Sequence, residues 1–232
     1  MRIELLHNTP LSVAVMATRT CYDSFDKSDT EINCVDKHCD YDKFLDTRKF
    51  CLTCEQNKAD LGEKDKELIN RIGNKMQHRS VLRHLHYTFY IEGMSTKTLL
   101  ALTRHKVGTE FSIQSSRFTL KKEYKKGKVN YTYTGNKDVD TILEQIIELV
   151  GDAIDTGASN DELSMLLPQA YQYNGVVTFS FEALYHFLDL RLTKEAHFDI
   201  RKLAVKLYES IPFEHLYLFD GVRDKYGNLL DF

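Results

Sequence analysis

Two short groups of chemically competent side chains lie close together in the middle of the chain. Arg104-His105-Lys106, which we call the basic triplet, is followed after eight residues by Ser115-Ser116-Arg117-Phe118, the serine segment. Cations gathered around one bend suit an anionic ligand, such as a phosphate, or an electron-rich ring. The alternative interpretation is a solvated basic turn, because surface turns often carry cations.

A helix and a strand are predicted to position these two groups. The apolar spacing of TLLALT predicts a helix over 96–103, with Ser95 as its N-cap. The alternation in FSIQSSRF is typical of a half-buried strand over 111–118. The basic triplet is therefore expected at the end of a helix, and the serine segment in the strand that follows Gly108.

Composition indicates an ordinary globular protein. The chain has 232 residues, of which 42% are hydrophobic and 28% charged, and its formal net charge is −3. This balance provides no general reason to bind nucleic acid or an anionic membrane. No apolar run approaches the ~20 residues of a membrane helix, and MRIELLHNTP lacks a signal-peptide core. We expect a cytoplasmic protein.

Four cysteines crowd into one short polar interval. Cys34-x4-Cys39 is followed by Cys51-x2-Cys54, and the second pair has the spacing of a zinc knuckle. Four thiolates would bind one structural zinc, with His38 as a substitute for one of them. The alternative is a flap with reduced, unliganded cysteines.

Hydrophobic periodicity predicts the remaining elements. RIELLHN predicts a strand, and Pro10 opens a helix that buries Val13, Met16, Ala17 and Cys21. Further helices are predicted over 63–77, 138–156 and 161–167, and a strand over 176–181. The helix over 138–156 is expected to turn Ile142, Ile146, Leu149 and Ile154 inward.

The basic triplet and the serine segment together resemble the signature of the flavin-dependent thymidylate synthases. That signature is Arg-His-Arg, seven residues and Ser, commonly within Ser-x-Arg-Tyr, and RHKVGTEFSIQSSRF carries the Arg, the His, the Ser and the Arg-aromatic pair. It departs from the pattern in three ways. Lys106 replaces the second Arg, the spacer over 107–114 is one residue longer, and Ser112-Ile113 replaces an Asn-Glu pair.

HRSVLRH resembles a second family pattern, His-x-Ser/Thr-x-x-Glu-His before an aromatic strand. His78, Ser80 and His84 match it, whereas Arg83 replaces the Glu. The resemblance implies that His78 and Ser80 lie beside the flavin. The alternative is a loop histidine and a helix cap.

The C-terminal third extends the resemblance. A helix ending in Leu-Arg places Arg191 where the family has the Arg that grips the pyrimidine nucleotide, and His186 occupies a position often filled by Asn near the flavin. Residues 196–201 resemble the family's Ala-Gln-x-Glu-Ile-Arg. Four more departures occur at Ala101, Ser180, Glu182 and Glu195, of which Glu182 replaces an Arg.

The resemblance implies an α+β fold in a single domain, 1–232, with a mixed sheet wrapped by helices and a Cys-rich insertion at about 30–61. It also implies a homotetramer with shared active sites. The implied reaction is reductive methylation of dUMP to dTMP, with methylenetetrahydrofolate as carbon donor and NADPH as reductant through FAD.

The resemblance also assigns roles to individual residues. The basic triplet, His78, Ser80 and His186 would bind the cofactor, and the triplet would stabilise the negative charge of reduced flavin. The residues that would bind dUMP are Arg104, Ser115, Ser116, Arg117 and Arg191, with Ser115 and Arg191 as catalytic residues. No cysteine nucleophile is required.

Three alternatives from other classes remain open. The departures from the pattern suit a flavin or nucleotide binder that has lost turnover. A flavin-dependent C5 modification of a pyrimidine monophosphate, such as hydroxymethylation, would use the same residues. Nucleic-acid binding through a zinc module is disfavoured, because the cysteine region carries more acid than base.

Overall fold

The computed structural model describes residues 1–30 and 61–227, and the four clustered cysteines lie outside these ranges. The chain forms two compact units. Unit 1 comprises Met1–Leu6, Thr88–Thr178 and Leu190–Ser210, and unit 2 comprises His7–Tyr87, Phe179–Asp189 and Ile211–Phe232.

The described strands form one four-stranded sheet in the order β1-β2-β4-β3. Thr88 and Thr178 hydroxyls lie 3.0 Å apart, and the Gly93 N–H donates to Asn174 Oδ1 at 3.0 Å, so β2 and β4 run antiparallel. The α+β prediction is confirmed, but the sheet is antiparallel and not mixed. The strands are β1 (Arg2–Asn8), β2 (His86–Ser95), β3 (Thr109–Ile113) and β4 (Gln172–Ser180).

Three helices of unit 1 start at side chains that cap them by hydrogen bonds. Ser95 accepts a hydrogen bond from the Thr98 N–H, which confirms the predicted N-cap, and Asn136 caps α5 in the same way. Ser159 and Glu162 form a capping box at α6. The helices are α3 (Thr96–Leu102), α4 (Ser116–Lys125), α5 (Lys137–Asp155), α6 (Asn160–Ser164) and α8 (Phe198–Glu209).

The predicted inward face of α5 is partly wrong. Ile142 and Leu149 are exposed, whereas their neighbours Leu143 and Val150 are buried. Because apolar residues surround much of this helix, two neighbouring faces of α5 are nearly equal in hydrophobicity, and periodicity alone does not show which one is buried. The packing partners of the helix determine the buried face. The core cluster at this place consists of Leu120, Val150, Ile154, Leu163 and Tyr171.

Unit 2 contains α-helices, 3₁₀ helices and one π-helical segment. The helix predicted over 63–77 becomes α-helical at its start and π-helical over Arg71–Lys75. The α-helices are α1 (Leu11–Cys21), α2 (Glu63–Asn70), α7 (Phe181–Arg191) and α9 (Asp220–Tyr226), the last two residues of α7 belonging to unit 1. The 3₁₀ helices are Phe25–Lys27, Arg79–His84 and Phe213–Phe219.

The buried face of α1 differs from the prediction. The helix turns Ala14, Val15, Thr18 and Arg19 inward, so Cys21, which we predicted to be buried, is exposed. Arg19 takes an inward position because a buried carboxylate receives it.

That carboxylate belongs to Asp65, which is fully buried. It accepts hydrogen bonds from Arg19 Nε at 2.9 Å, from Ser28 Oγ at 2.6 Å and from Thr30 Oγ1 at 2.5 Å. Burial acts to raise the pKa of the Asp65 carboxyl, but the hydrogen bonds from Ser28, Thr30 and Arg19 outweigh it and hold the pKa below its ordinary value.

A second buried polar group of unit 2 is His215, which is 1% exposed. Its Nδ1 lies 2.8 Å from the Tyr87 hydroxyl and its Nε2 lies 3.4 Å from Asn8 Nδ2. Burial lowers the pKa of His215 to about 4, because the protonated ring would lose its hydration.

The free energy of unfolding should therefore depend on pH between about 6.5 and about 4. In this window the unfolded chain protonates His215 and the folded chain does not, so the stabilisation is complete above pH 6.5 and is lost as the pH falls. The full loss is about 3 kcal/mol, at about 1.4 kcal/mol per pKa unit. His215→Gln should flatten this slope in denaturant titrations. His86→Gln, at an exposed histidine, is the matched control and should keep the slope; equal slopes in all three proteins would contradict the assignment.

Candidate functional site

In unit 1, α3 is fixed at its start by a buried carboxylate. Asp199, in the first turn of α8, accepts hydrogen bonds from Ser95 Oγ at 2.5 Å and from Thr98 Oγ1 at 2.6 Å. Ser95 Oγ in turn accepts from the Thr98 N–H at 3.0 Å. The helix that leads to the basic triplet is thus attached to α8 at its N-cap.

The basic triplet lies in the turn between α3 and β3. The His105 N–H donates to the Leu102 carbonyl at 3.0 Å, which continues the helical winding for one more residue. Gly108 then takes a φ of +72°, a conformation that favours glycine, and the chain enters β3. The predicted location at a helix end is confirmed.

Arg191 lies beside the central residue of the triplet. Its Nε and Nη2 lie 3.2 and 3.0 Å from His105 Nε2. Both arginine atoms carry protons, so Nε2 must be the unprotonated acceptor and the neutral ring carries its proton on Nδ1. Burial and then the nearby charge of Arg104 lower the pKa of the Arg191 guanidinium.

The flanking residues of the triplet are open to solvent. Arg104 and Lys106 are exposed, and within residues 1–30 and 61–227 neither has a carboxylate within 4.0 Å. Arg104, Lys106 and Arg191 thus bring three cationic side chains to one short stretch of unit 1. An anion bound to them would relieve their mutual repulsion.

The serine segment departs from the predicted strand. β3 ends at Ile113, Ser115 takes the N-cap position of α4, and Ser116 and Arg117 are its first residues. The helix forms because Leu120, with Tyr124 one turn later, packs on the core cluster of unit 1. Exposed Ser115 makes no side-chain hydrogen bond to the helix, so α4 presents a free hydroxyl beside its first backbone N–H groups.

Ser116 and Arg117 contact other parts of unit 1. Tyr173 donates its hydroxyl to Ser116 Oγ at 3.5 Å, and Arg117 Nε lies 2.8 Å from Asp161 Oδ1. Both side chains of the Arg117–Asp161 pair are more than half exposed, so a bound anion could compete for Arg117 at small cost. Sequence reasoning missed Asp161, because nothing local signals a partner more than forty residues away.

Unit 2 holds the other predicted cofactor residues. His78 is at the N-cap of the 3₁₀ helix Arg79–His84, which contains Ser80, and His186 is on α7; all three are exposed. The Arg79 guanidinium stacks on the Tyr185 ring at 3.8 Å, which joins the segment with His78 and Ser80 to the helix with His186.

Two departures from the family pattern form an ion pair with each other. Arg83 and Glu182 lie in direct contact in unit 2, and Glu182 raises the pKa of Arg83 by hydrogen bonding and by charge. The family pattern has a Glu at position 83 and an Arg at position 182, so the two charges are exchanged. Nothing local in the sequence signals this pairing, because 99 residues separate the two positions.

Within residues 1–30 and 61–227, no group of three or more His, Cys, Asp and Glu side chains could hold a metal ion. No helix of these ranges is long and apolar enough to cross a membrane.

The family model described as "Thymidylate synthase complementing protein" matches residues 4–212. The flavin-dependent thymidylate synthase of Campylobacter jejuni is 36% identical over 235 residues, covering 97% of this chain and 99% of the relative. That of Wolinella succinogenes is also 36% identical, covering 94% and 97%.

The chain belongs to the flavin-dependent thymidylate synthase family. A crystal structure of the Helicobacter pylori family member, described as containing FAD and dUMP, aligns over 100% of both chains with a TM-score of 0.77 and 27% identity. A second structure of the Helicobacter pylori protein, also described as complexed with FAD and dUMP, has a TM-score of 0.75 and 28% identity.

The attachment of α3 through Asp199 should be measurable as stability. Asp199→Ala leaves the buried Ser95 and Thr98 hydroxyls without their acceptor, and we expect a loss of about 2–4 kcal/mol in the free energy of unfolding. Asp152→Ala, at an exposed position of α5, is the control and should change it by less than about 0.5 kcal/mol. If the interaction is shared, Asp199→Ala and Thr98→Val should be non-additive in a double-mutant cycle; additive effects would contradict it.

Proposed function

We propose that this family member is an FAD-dependent enzyme that methylates dUMP reductively to dTMP, with methylenetetrahydrofolate as carbon donor and NADPH as reductant. The observation that carries the proposal is the contact of Arg191 with His105 beside exposed Arg104. It creates a cationic site with fixed donor geometry in a chain whose relatives bear this name. Bound FAD supplies the electron-transfer chemistry, and the protein supplies binding and electrostatics.

The nucleotide is assigned to the cations and the helix start of unit 1. Arg191 and Arg104 would bind the anionic dUMP, with Arg191 oriented by its hydrogen bonds to His105. Ser115 would donate its free hydroxyl, and Ser116 and Arg117 would complete the contacts at the N-terminus of α4. Ser115 and Arg191 are the proposed catalytic residues, because they would hold the reacting pyrimidine.

The residues proposed for the flavin fit an anionic cofactor. Lys106 and Arg104 present cations without carboxylate partners in the described parts of the chain, and Lys106 keeps the charge of the family's second Arg without its two-pronged geometry. His105 would complete the flavin contacts of unit 1. His78, Ser80 and His186 of unit 2 are the further proposed cofactor residues.

We also propose that residues 1–232 act as one domain within a cytoplasmic homotetramer that shares its active sites. Exposed apolar side chains beside the site support association. Val107, next to the basic triplet, is 92% exposed, and Phe118, in the serine segment, is 76% exposed. Contiguous apolar surface commonly marks interaction sites, and in the proposed tetramer a neighbouring subunit would cover these two side chains.

Turnover tests the proposal directly. FAD-loaded protein incubated with dUMP, methylenetetrahydrofolate and NADPH should form dTMP, and Arg191→Ala should weaken dUMP binding about tenfold or more, because a charge-assisted contact of ~1.5–3 kcal/mol is lost. Arg223→Ala, at an exposed arginine of α9, is the control. Cys21→Ala should keep its turnover, since no thiolate nucleophile is involved.

Three results would contradict the proposed reaction or its mechanism. Flavin and dUMP binding without product would favour a binder that has lost turnover, and a hydroxymethylated product would favour the related C5 modification. Loss of turnover in Cys21→Ala, with flavin and fold intact, would contradict the mechanism without a cysteine nucleophile.

We propose in addition that Cys34, Cys39, Cys51 and Cys54 bind one structural zinc. The spacing of the cysteines supports this, and so do the residues on either side of the insertion. The Gly62 N–H donates to Thr30 Oγ1 at 3.3 Å. The insertion therefore departs from and returns to one place, where a metal cross-link would close a short loop.

Elemental analysis of protein purified without chelator should show about one zinc per chain. Replacing Cys51 and Cys54 by Ser should remove the metal, whereas Cys21→Ser, the control, should retain it. Less than about a tenth of a zinc per chain, with four thiols that alkylate freely in the native protein, would refute the site and leave the flap interpretation.

A further inference from the structure

Unit 2 contains a cationic cavity that none of the proposed roles uses. Its volume is about 470 Å³, within the range of small-molecule sites. Helix α2 with its π-helical continuation forms one wall, and the end of α1 with the following 3₁₀ helix forms the other. The lining residues are Arg19, Lys27, Lys64, Glu67, Leu68, Asn70, Arg71 and Lys75.

The first wall is a single helix face. Lys64, Leu68, Arg71 and Lys75 follow one another at intervals of three or four residues, so their side chains project to the same side. Arg71 and Lys75 are the first and last residues of the π-helical segment. Such segments widen a helix and occur frequently at functional sites.

The charge of the cavity differs from that of the chain as a whole, which carries a formal net charge of −3. Arg19 is neutralised by Asp65. By contrast, Lys27, Lys64, Arg71 and Lys75 have no carboxylate within 4.0 Å in the described ranges. All salt bridges found there involve other cations. Unpaired cations around a concave surface focus a positive potential into it.

We propose that this cavity binds a nucleotide that carries two or more phosphate groups. Four cations on two walls exceed the need of one phosphate, and the volume accommodates a nucleotide and not only an ion. Lysine ammonium groups act as point charges that follow a polyphosphate without fixed geometry. A dinucleotide with an extra ribose phosphate and a nucleoside triphosphate share this chemistry.

The proposal does not depend on the proposed function. Its residues differ from every residue assigned to flavin or dUMP, and its readout is binding. A protein without turnover would still bind the nucleotide in this cavity, and an active enzyme could bind its reductant elsewhere, so the two proposals fail separately.

The test is calorimetric titration of full-length protein saturated with FAD and dUMP, so that the proposed flavin and nucleotide residues are occupied. The probes are NADP⁺, which has the phosphates of NADPH but cannot reduce the bound flavin, adenosine triphosphate and inorganic pyrophosphate. We expect binding of pyrophosphate and of at least one nucleotide, weakened by salt. The nucleotide that binds more tightly identifies the source of the phosphates.

Three variants locate the site. Lys64→Gln with Lys75→Gln should weaken binding at least tenfold. Lys122→Gln with Lys125→Gln removes the same charge from exposed positions of α4 and should change it less than twofold. Glu67→Gln removes the carboxylate of the lining and should strengthen binding.

The proposal is overturned if none of the three probes binds below millimolar concentration. It is also overturned if the two double variants lose affinity equally, which would indicate non-specific attraction to a basic surface. Because all five substituted side chains are exposed, unfolding is not expected; unchanged thermal transitions check this, and Glu67→Gln tests the site in the opposite direction.

Discussion

The carboxylate of Asp199 is the constraint on which the candidate site of unit 1 depends. Helix α3 has seven residues, too few to be stable on its own, and its C-terminal end delivers the basic triplet. Two buried hydroxyl groups at the start of α3 donate to Asp199, so the helix gains its position from α8 and not from its own winding. A buried acceptor that satisfies two donors also specifies one arrangement, since any shift would leave polar groups unpaired.

The charge distribution of the site follows from that placement. Arg191 is partly buried and close to Arg104, and both effects work against its charged form. His105 accepts hydrogen bonds from Arg191 Nε and Nη2 as a neutral ring. It therefore orients the guanidinium without adding a further positive charge beside it. Arg191 is therefore held in place before any ligand arrives. Such preorganised charge is what an enzyme needs to bind a nucleotide anion without reorganising.

Local sequence signals predicted most elements, and the errors have physical causes. The Ser95 cap, the helix before the triplet and the strand β1 were identified because periodicity and capping chemistry are local. The serine segment was predicted as strand since its alternation spans only a few residues, whereas the decisive packing of Leu120 comes later in the chain. Long-range pairs, such as Arg117 with Asp161 and Arg83 with Glu182, could not be read from spacing. The positions of the candidate residues within each unit were therefore the part that required the structure.

The cations of unit 2 have different roles, depending on whether they are buried with a carboxylate partner or exposed without one. Arg19 is 5% exposed and its charge is matched by a carboxylate that also receives Ser28 and Thr30, so it holds the chain together on both sides of the insertion. Removing one partner of such a buried pair leaves an uncompensated charge, which makes the pair structural. The lysines of the neighbouring cavity have no such partner in the described ranges, and as exposed groups they add nothing to the fold. Cations aligned on an exposed helix face are ordinarily a solvated surface; these differ because their face borders a cavity and contains a π-helical segment, and the proposed nucleotide site rests on those two features.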